Sequence, residues 1–469
     1  MNQGYKGTYF YIMVSGIFLI VISSALLSDG MFMDGVLYAT MAKNLANGIG
    51  TFWQSHMSEI IFPAFINHPP LAIGLESIFF RILGNSRFVE RFYSLLAIML
   101  TGLIIVSIWK SLGKRSSTGW LPLLFWIVMP SVTWATVNNM LENTMGIFIC
   151  LSILFYIKSL KSNRILYIIL GGVMLSLGFL TKGFVTFFPF VFPFFLWLFT
   201  RKTSFWSVIT DSLLLVVSAV LPLILMFLII PEYREVLPKY LAVTFELVGG
   251  IATKDSRFYI VYRLLMELLP SLGIITIFLI YCHIKKIGLN QLSGNLSLAA
   301  SFFCLGLCGV LPIMITKVQS GYYLLTSLPF FAISLSLLII PNVKNVLERI
   351  NYKSSGYKIA GIALLSAGII LSVSFSGHIN RDKNKIKDMR VIIARLPEST
   401  TINILPDMWT DWSLHAYYAR YKNISLDPDL NNKHEYLLIN NVLYSDTIAD
   451  RFEKIELRTS EYELFRRKQ

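Results

Sequence analysis

The sequence predicts a polytopic α-helical membrane protein of about eleven transmembrane helices, with a small α/β domain outside the membrane at its C-terminal end. Three observations predict it. Hydrophobic residues make up 55% of the 469 residues and charged residues only 14%, where a soluble globule carries about 25% charged residues. The charge is unevenly placed: residues 379–469 hold 15 Lys/Arg and 14 Asp/Glu, while the preceding 378 residues hold 26 and 13. Apolar runs of about 17–25 residues, the length that crosses a bilayer, recur along the first part. Collagen, coiled coil and disorder are excluded by the same composition.

Eleven runs qualify: 8–28, 88–109, 119–137, 142–158, 165–181, 184–200, 206–230, 259–283, 295–316, 322–340 and 358–378. The first follows Lys6 and ends near Ser23 and Ala25, as a signal peptide would. Its core is too long for that, and many spans follow, so it reads as an uncleaved helix. Cys150, Cys282, Cys304 and Cys308 all lie in apolar runs without a CxxC spacing, and read as small core fillers.

The formal net charge is +14. Nucleic acid is not needed to explain it. Lys and Arg gather in alternate inter-span segments, among them Lys6, Lys110, Lys114, Lys161, Arg201, Lys285 and Lys344. The short loops of the other set hold only Lys182 and Lys317. Basic loops face the cytoplasm. The N-terminus is therefore expected inside and, with eleven spans, the tail outside. The expected division is a membrane domain over 1–378 and a periplasmic α/β domain over 379–469.

Two outer loops are long, 29–87 and 231–258, and long connections usually carry function. Residues 35–46 suit a short helix capped by Asp34 and stopped at Asn47-Gly48. Residues 71–83 suit a second, starting after Pro69-Pro70 and ending at Gly84. Both are too polar to span and are expected in the outer interface. In the tail, Val391–Ala394, Thr401–Leu405 and Tyr436–Asn440 read as strands, and Ser413–Tyr421 and Tyr444–Phe452 as helices.

Ionisable groups collect at the outer ends of the spans. The first loop reads Asp34-Gly35-Val36-Leu37-Tyr38-Ala39, with Lys43 one turn further, then His68-Pro69-Pro70-Leu71. Asn138-Asn139-Met140-Leu141-Glu142 opens the fourth span, and Leu180-Thr181-Lys182-Gly183 closes the fifth. Lys317 precedes Tyr322-Tyr323, and Arg257 ends the second long loop.

In order and spacing these motifs resemble the GT-C superfamily of membrane glycosyltransferases. The resemblance is to the branch of the bacterial lipid A aminoarabinose transferase and the protein O-mannosyltransferases. It covers most of the membrane part and does not extend to the tail. Here Gly35 stands where the family often has Glu, His68 where Lys is usual, and Glu142 where Asp is common. The resemblance implies a polyisoprenyl-phosphate sugar donor, undecaprenyl phosphate in a bacterial envelope, and a lipid, glycan or protein acceptor.

Asp34 is the catalytic candidate, an ionised base for the acceptor hydroxyl; as a plain N-cap it would need only its side-chain oxygen. Tyr38, Lys43, His68, Glu142, Lys182, Arg257 and Tyr322 are substrate-binding candidates. Lys182 is weighed as a phosphate ligand against a snorkelling interfacial lysine, and Tyr38 and Tyr322 against interfacial belt aromatics. His68 and Glu142 are also candidate ligands for a divalent metal. The rival reading is a transporter or lipid flippase, which needs ionisable groups inside its spans; Asp211 and Glu267 are the acidic residues there. No P-loop, HExxH or GxSxG motif is present.

Overall fold

The computed structural model describes residues 5–250, 253–287, 295–350, 355–441 and 451–468. In chain order the helices are α1 Tyr5–Leu26, α2 Met33–Ala46, α3 Leu71–Leu83, α4 Val89–Ser111, α5 Trp120–Ile127, α6 Pro130–Val137 and α7 Leu141–Ser159. There follow α8 Arg164–Lys182, α9 Phe192–Thr200, α10 Phe205–Ile229, α11 Pro231–Gly250 and α12 Tyr259–Ile284. The last five are α13 Leu296–Val310, α14 Leu328–Leu347, α15 Ser355–Ser374, α16 Lys383–Ile393 and α17 Trp412–Lys422.

Among the described residues nine helices are long and apolar enough to cross a membrane, ten if the bent pair α5–α6 counts as one. The run at 184–200 forms a shorter apolar segment whose first half, Phe184–Val191, is a 3₁₀ helix around Pro189. The expected count of eleven is therefore not reached by length and composition alone. The span expected over 119–137 is broken and bends by 80°. Pro130 is the cause, since proline cannot donate to the preceding turn.

The chain divides into two compact units. One comprises Met1–Ser23, Asn67–Ala72 and Ser94–Ser374 and holds most of the apolar helices. Within it α8 packs between α7 and α10, and α13 lies against α9 and α14. Phe330, Phe331, Ala332 and Ile333 of α14 are fully buried. Helices α1 and α15 meet backbone to backbone at Gly16, where an added Cβ would sit 2.6 Å from the Leu365 nitrogen. Lipid gives apolar helices no hydrophobic reason to associate, so such close contact supplies the packing energy instead. Two acids inside the spans are engaged. Asp211 accepts from Arg164 at 2.8 Å. Glu267, fully buried, accepts from the Ser131 backbone N–H at 2.8 Å, from Ser131 Oγ at 2.7 Å and from Arg263 at 2.9 Å.

The other unit comprises Ser24–Ile66, Ile73–Tyr93 and Phe375–Gln469. Its sheet is mixed. The strands are β1 Thr401–Ile404, β2 Ser425–Asp427, β3 Tyr436–Asn440, β4 Phe452–Ile455 and β5 Tyr462–Arg467, in the order β2-β1-β3-β5-β4. β1 runs parallel to β2 and β3, and β5 antiparallel to β3 and β4. Leu437, Ile439, Phe452 and Phe465 form an apolar cluster on it. α17 packs on α2, so most of the first long loop folds with the tail as one body, residues 67–72 excepted.

Expected β1, β3, α3 and α17 are present. Val391–Ala394 is not a strand: Val391–Ile393 closes α16, whose buried Ile386, Met389 and Ile392 follow helical spacing. Asp34 is not the N-cap of α2. Phe32 holds that position without a side-chain cap, and Asp34 lies in the first helical turn. The long loop at 231–258 carries α11 over most of its length. The helix expected over 444–452 falls outside the described residues except at its end, where Phe452 begins β4.

Candidate functional site

The candidates divide between the two units. Asp34, Tyr38 and Lys43 belong to the unit with the sheet; His68, Glu142, Lys182, Arg257 and Tyr322 belong to the apolar one.

In the apolar unit the sequence brings Lys182 and Glu142 together. Glu142 is the second residue of α7, where helix-terminal amides favour a carboxylate. Lys182 is the last residue of α8, where the opposite end of a helix favours a cation. The two form an ion pair with side chains 9% and 1% exposed. Glu142 Oε2 is buried and takes no hydrogen bond of its own. The Lys182 ammonium also lies 5.3 Å from the Tyr322 ring centre and 5.1 Å from that of Tyr323, within cation–π range. Tyr322 in turn stacks on Trp134, with centroids 5.6 Å apart and planes 12° apart.

Gly183 ends α8 at φ +83°. A Cβ there would fall 1.8 Å from the Tyr240 hydroxyl. Only glycine accepts both the backbone angle and the close approach, which accounts for the Lys-Gly pair. His68 keeps a small exposed surface, yet burial and then the Lys182 charge lower its pKa to about 3. It is a neutral imidazole at physiological pH.

Two cavities border this cluster. One, of about 780 Å³, is almost wholly apolar and is lined by Phe184, Phe188, Phe245, Leu311 and Ile315. Tyr323 forms part of its wall, and Lys182 lies against the same ring. The other, of about 330 Å³, is lined by Ser131, Trp134, Tyr259, Arg263 and Tyr322. Arg263 is the residue that sequence reading missed. Its signal was present: an arginine four residues before Glu267 within an apolar span is an ionisable pair where such residues are scarce. Arg257 is exposed, and its carbonyl accepts from Gln319 Nε2 at 2.9 Å; it does not line either cavity.

In the other unit Asp34 is half-buried and Tyr38 is 3% exposed. Tyr38 is thus a core residue, not a belt aromatic. Lys43 is also a correction. It is 3% exposed, and its ammonium donates to the Ala419 and Arg420 carbonyls at 2.9 Å each and to Asn423 Oδ1. All three protons are engaged, so it closes the C-terminal end of α17 and has none left for substrate. Burial, with the Arg420 charge nearby, lowers its pKa to about 7. Around it Asp29 accepts from Tyr421, Arg390 and the Gly30 amide. Burial works against that charge, but these donors outweigh it and hold the carboxyl below the usual range. Arg420 pairs with Glu90 at 2.9 Å.

Among the described residues no three His, Cys, Asp or Glu side chains converge on a point that would hold a metal ion. His68 and Glu142 do not complete such a set, and the Glu142 carboxylate already faces an ammonium.

The helical architecture with its small sheet is shared with solved structures of low sequence identity. The family model for dolichyl-phosphate-mannose-protein mannosyltransferase matches residues 67–230, the segment that carries His68, Glu142 and Lys182. The chain is similar in structure to ArnT from Cupriavidus metallidurans in the apo state, with TM-score 0.69 and 13% identity over 99% of this chain and 98% of that one. It is similar to the same protein bound to undecaprenyl phosphate, with TM-score 0.67, the same identity and the same coverage. The archaeal oligosaccharyltransferase AglB from Archaeoglobus fulgidus, in complex with an inhibitory peptide and a dolichol-phosphate, gives TM-score 0.51 and 11% identity over 94% of this chain and 70% of that one. No curated protein matches the chain.

Proposed function

We propose that the chain transfers a sugar from a polyisoprenyl phosphate, undecaprenyl phosphate in a bacterial envelope, to a lipid, glycan or protein acceptor. The reaction is assigned to the outer face of the cytoplasmic membrane, with the N-terminus inside and residues 379–469 outside. One observation carries this reading: the apolar cavity of about 780 Å³ shares Tyr323 with the buried cation of Lys182. A greasy hollow that meets a positive charge suits a molecule with a hydrocarbon chain and a phosphate head. Undecaprenyl phosphate on ArnT and dolichol-phosphate on AglB support the same donor class. The alternating lysine pattern supports the orientation.

In the proposed step the acceptor oxygen forms a bond to the anomeric carbon as the bond from that carbon to the phosphate oxygen breaks. The acceptor proton passes to Asp34, and the polyisoprenyl phosphate leaves with the bonding electrons. Attack opposite the leaving group inverts the anomeric carbon, the logic of inverting glycosidases. Lys182 opposes the charge that grows on the phosphate, with Tyr322 and neutral His68 beside it as hydrogen-bond donors. Glu142 orients the ammonium, and its Oε2 is the acceptor atom left for a substrate hydroxyl.

The transporter reading has less support. Asp211 and Glu267, the acids inside the spans, are held by Arg164 and by Ser131 with Arg263. They tie helices together. The deciding experiment is mass spectrometry of membrane lipids and surface glycans in a deletion strain. Accumulation of a polyisoprenyl-linked sugar and loss of one surface decoration are expected. An unchanged lipid and glycan profile would overturn the assignment.

A further inference from the structure

The lysine-rich ends of the spans enclose a separate cavity of about 600 Å³. It lies in the apolar unit, where the C-terminal ends of α4, α7 and α9 meet the first turn of α13. Lys114, Lys161 and Lys202 line it, together with Asn295 and the apolar Leu160 and Leu196. Among the described residues no acidic side chain lines it. Lys114 donates to Asn295 Oδ1. Burial, then the charges of Lys344 and Lys202, lower the pKa of Lys114. The cluster is thus a repulsive one that an anion would relieve.

Positive-inside topology explains why lysines gather at these ends. It does not call for three of them around one concave wall with aliphatic sides. We propose that this cavity binds the phosphodiester headgroup of an anionic membrane phospholipid, its lysines on the phosphate and its leucines on the first acyl carbons. Basic pockets between spans recognise lipid headgroups in this way. The amides in the first turn of α13 favour the same charge. Such lipid binding is independent of the transfer reaction.

Native mass spectrometry of the full chain in an uncharged detergent tests it. Phosphatidylglycerol and phosphatidylcholine with identical acyl chains are titrated against each other. Retention of phosphatidylglycerol is expected at least tenfold above phosphatidylcholine. Each lysine contributes about fivefold, so Lys114→Ala, Lys161→Ala and Lys202→Ala together should abolish the preference, while the three corresponding Arg variants keep it. Lys285→Ala, outside the cavity, should leave it unchanged. Should the triple Ala chain fail to fold, the three single variants carry the same comparison. Millimolar inorganic phosphate separates the sources: phosphatidylglycerol held in its presence supports a lipid site, and its displacement would make this a small-anion site and overturn the proposal. Equal retention of the two lipids by the unaltered chain would overturn it too, as would a preference that survives loss of all three lysines.

Discussion

The ammonium of Lys43 ends against the Ala419 carbonyl, 2.9 Å away and 376 residues along the chain. A residue of the first loop thus completes the last turn of a tail helix. Lys43→Met removes the donor from the buried Arg420 carbonyl, at a cost of about 1–3 kcal/mol for a group left unsatisfied, while the Ala419 carbonyl keeps the Asn423 N–H at 3.1 Å. The expected result is earlier thermal unfolding and faster proteolysis within residues 375–469. Catalysis measured on the still-folded fraction should be unaffected.

Glu142 and Lys182 should behave as a unit. Glu142→Gln alone leaves a buried ammonium without its counter-charge, which destabilises by about 3–5 kcal/mol. Combining it with Lys182→Met removes both charges and should recover much of that loss. Thermal melts of the four chains give the coupling directly. Additive losses would mean that the pair contributes nothing. Kinetically, Lys182→Ala is expected to raise the apparent KM for the polyisoprenyl donor.

Asp34→Asn should lower transfer by about 10²–10⁴-fold, the usual contribution of a positioned base. Membrane insertion and the melting temperature should be retained, since amide and carboxylate have the same shape. Single-turnover assays with purified donor measure it. Unchanged turnover would remove Asp34 from the mechanism.

His68 sets a pH signature. Its folded pKa of about 3 lies below the ordinary 6.5, so between those values the unfolded chain binds the extra proton. Stability is therefore complete above about 6.5 and falls as pH drops toward 3. Melting temperatures of the unaltered chain and of His68→Gln, followed from pH 7 to 4, should diverge, with the variant showing the shallower decline. No kinetic limb between pH 5 and 8 should be traceable to this imidazole.

Much of this architecture is legible in the residues themselves. Leu71–Leu83 forms where expected because Pro69-Pro70 can begin a helix and Gly84, at φ +74°, can end one. Nine of the eleven apolar runs form helices of spanning length among the described residues, and the runs at 119–137 and 184–200 do not. Other features depend on partners distant in sequence. Lys43 lies beside Asp34 in a motif, and nothing local reveals that α17 will take all its protons. Val391 and its neighbours have strand-like composition, but packing of Ile386, Met389 and Ile392 selects the helix. Pro130 was a readable sign of the broken span. Arg263 could be found from its spacing to Glu267, while its place beside Trp134 and Tyr322 could not.

The carboxylate of Glu267 has a bearing on how the chain is made. It grips the corner between α5 and α6 through Ser131, across 136 residues of sequence. When that corner leaves the ribosome, the group that holds it has not yet been synthesised. The 80° turn is therefore finished only after α12 enters the membrane, and until then proline alone keeps the two halves from joining into one rod. The last contact at this corner can form only once a residue 136 positions further along has been made.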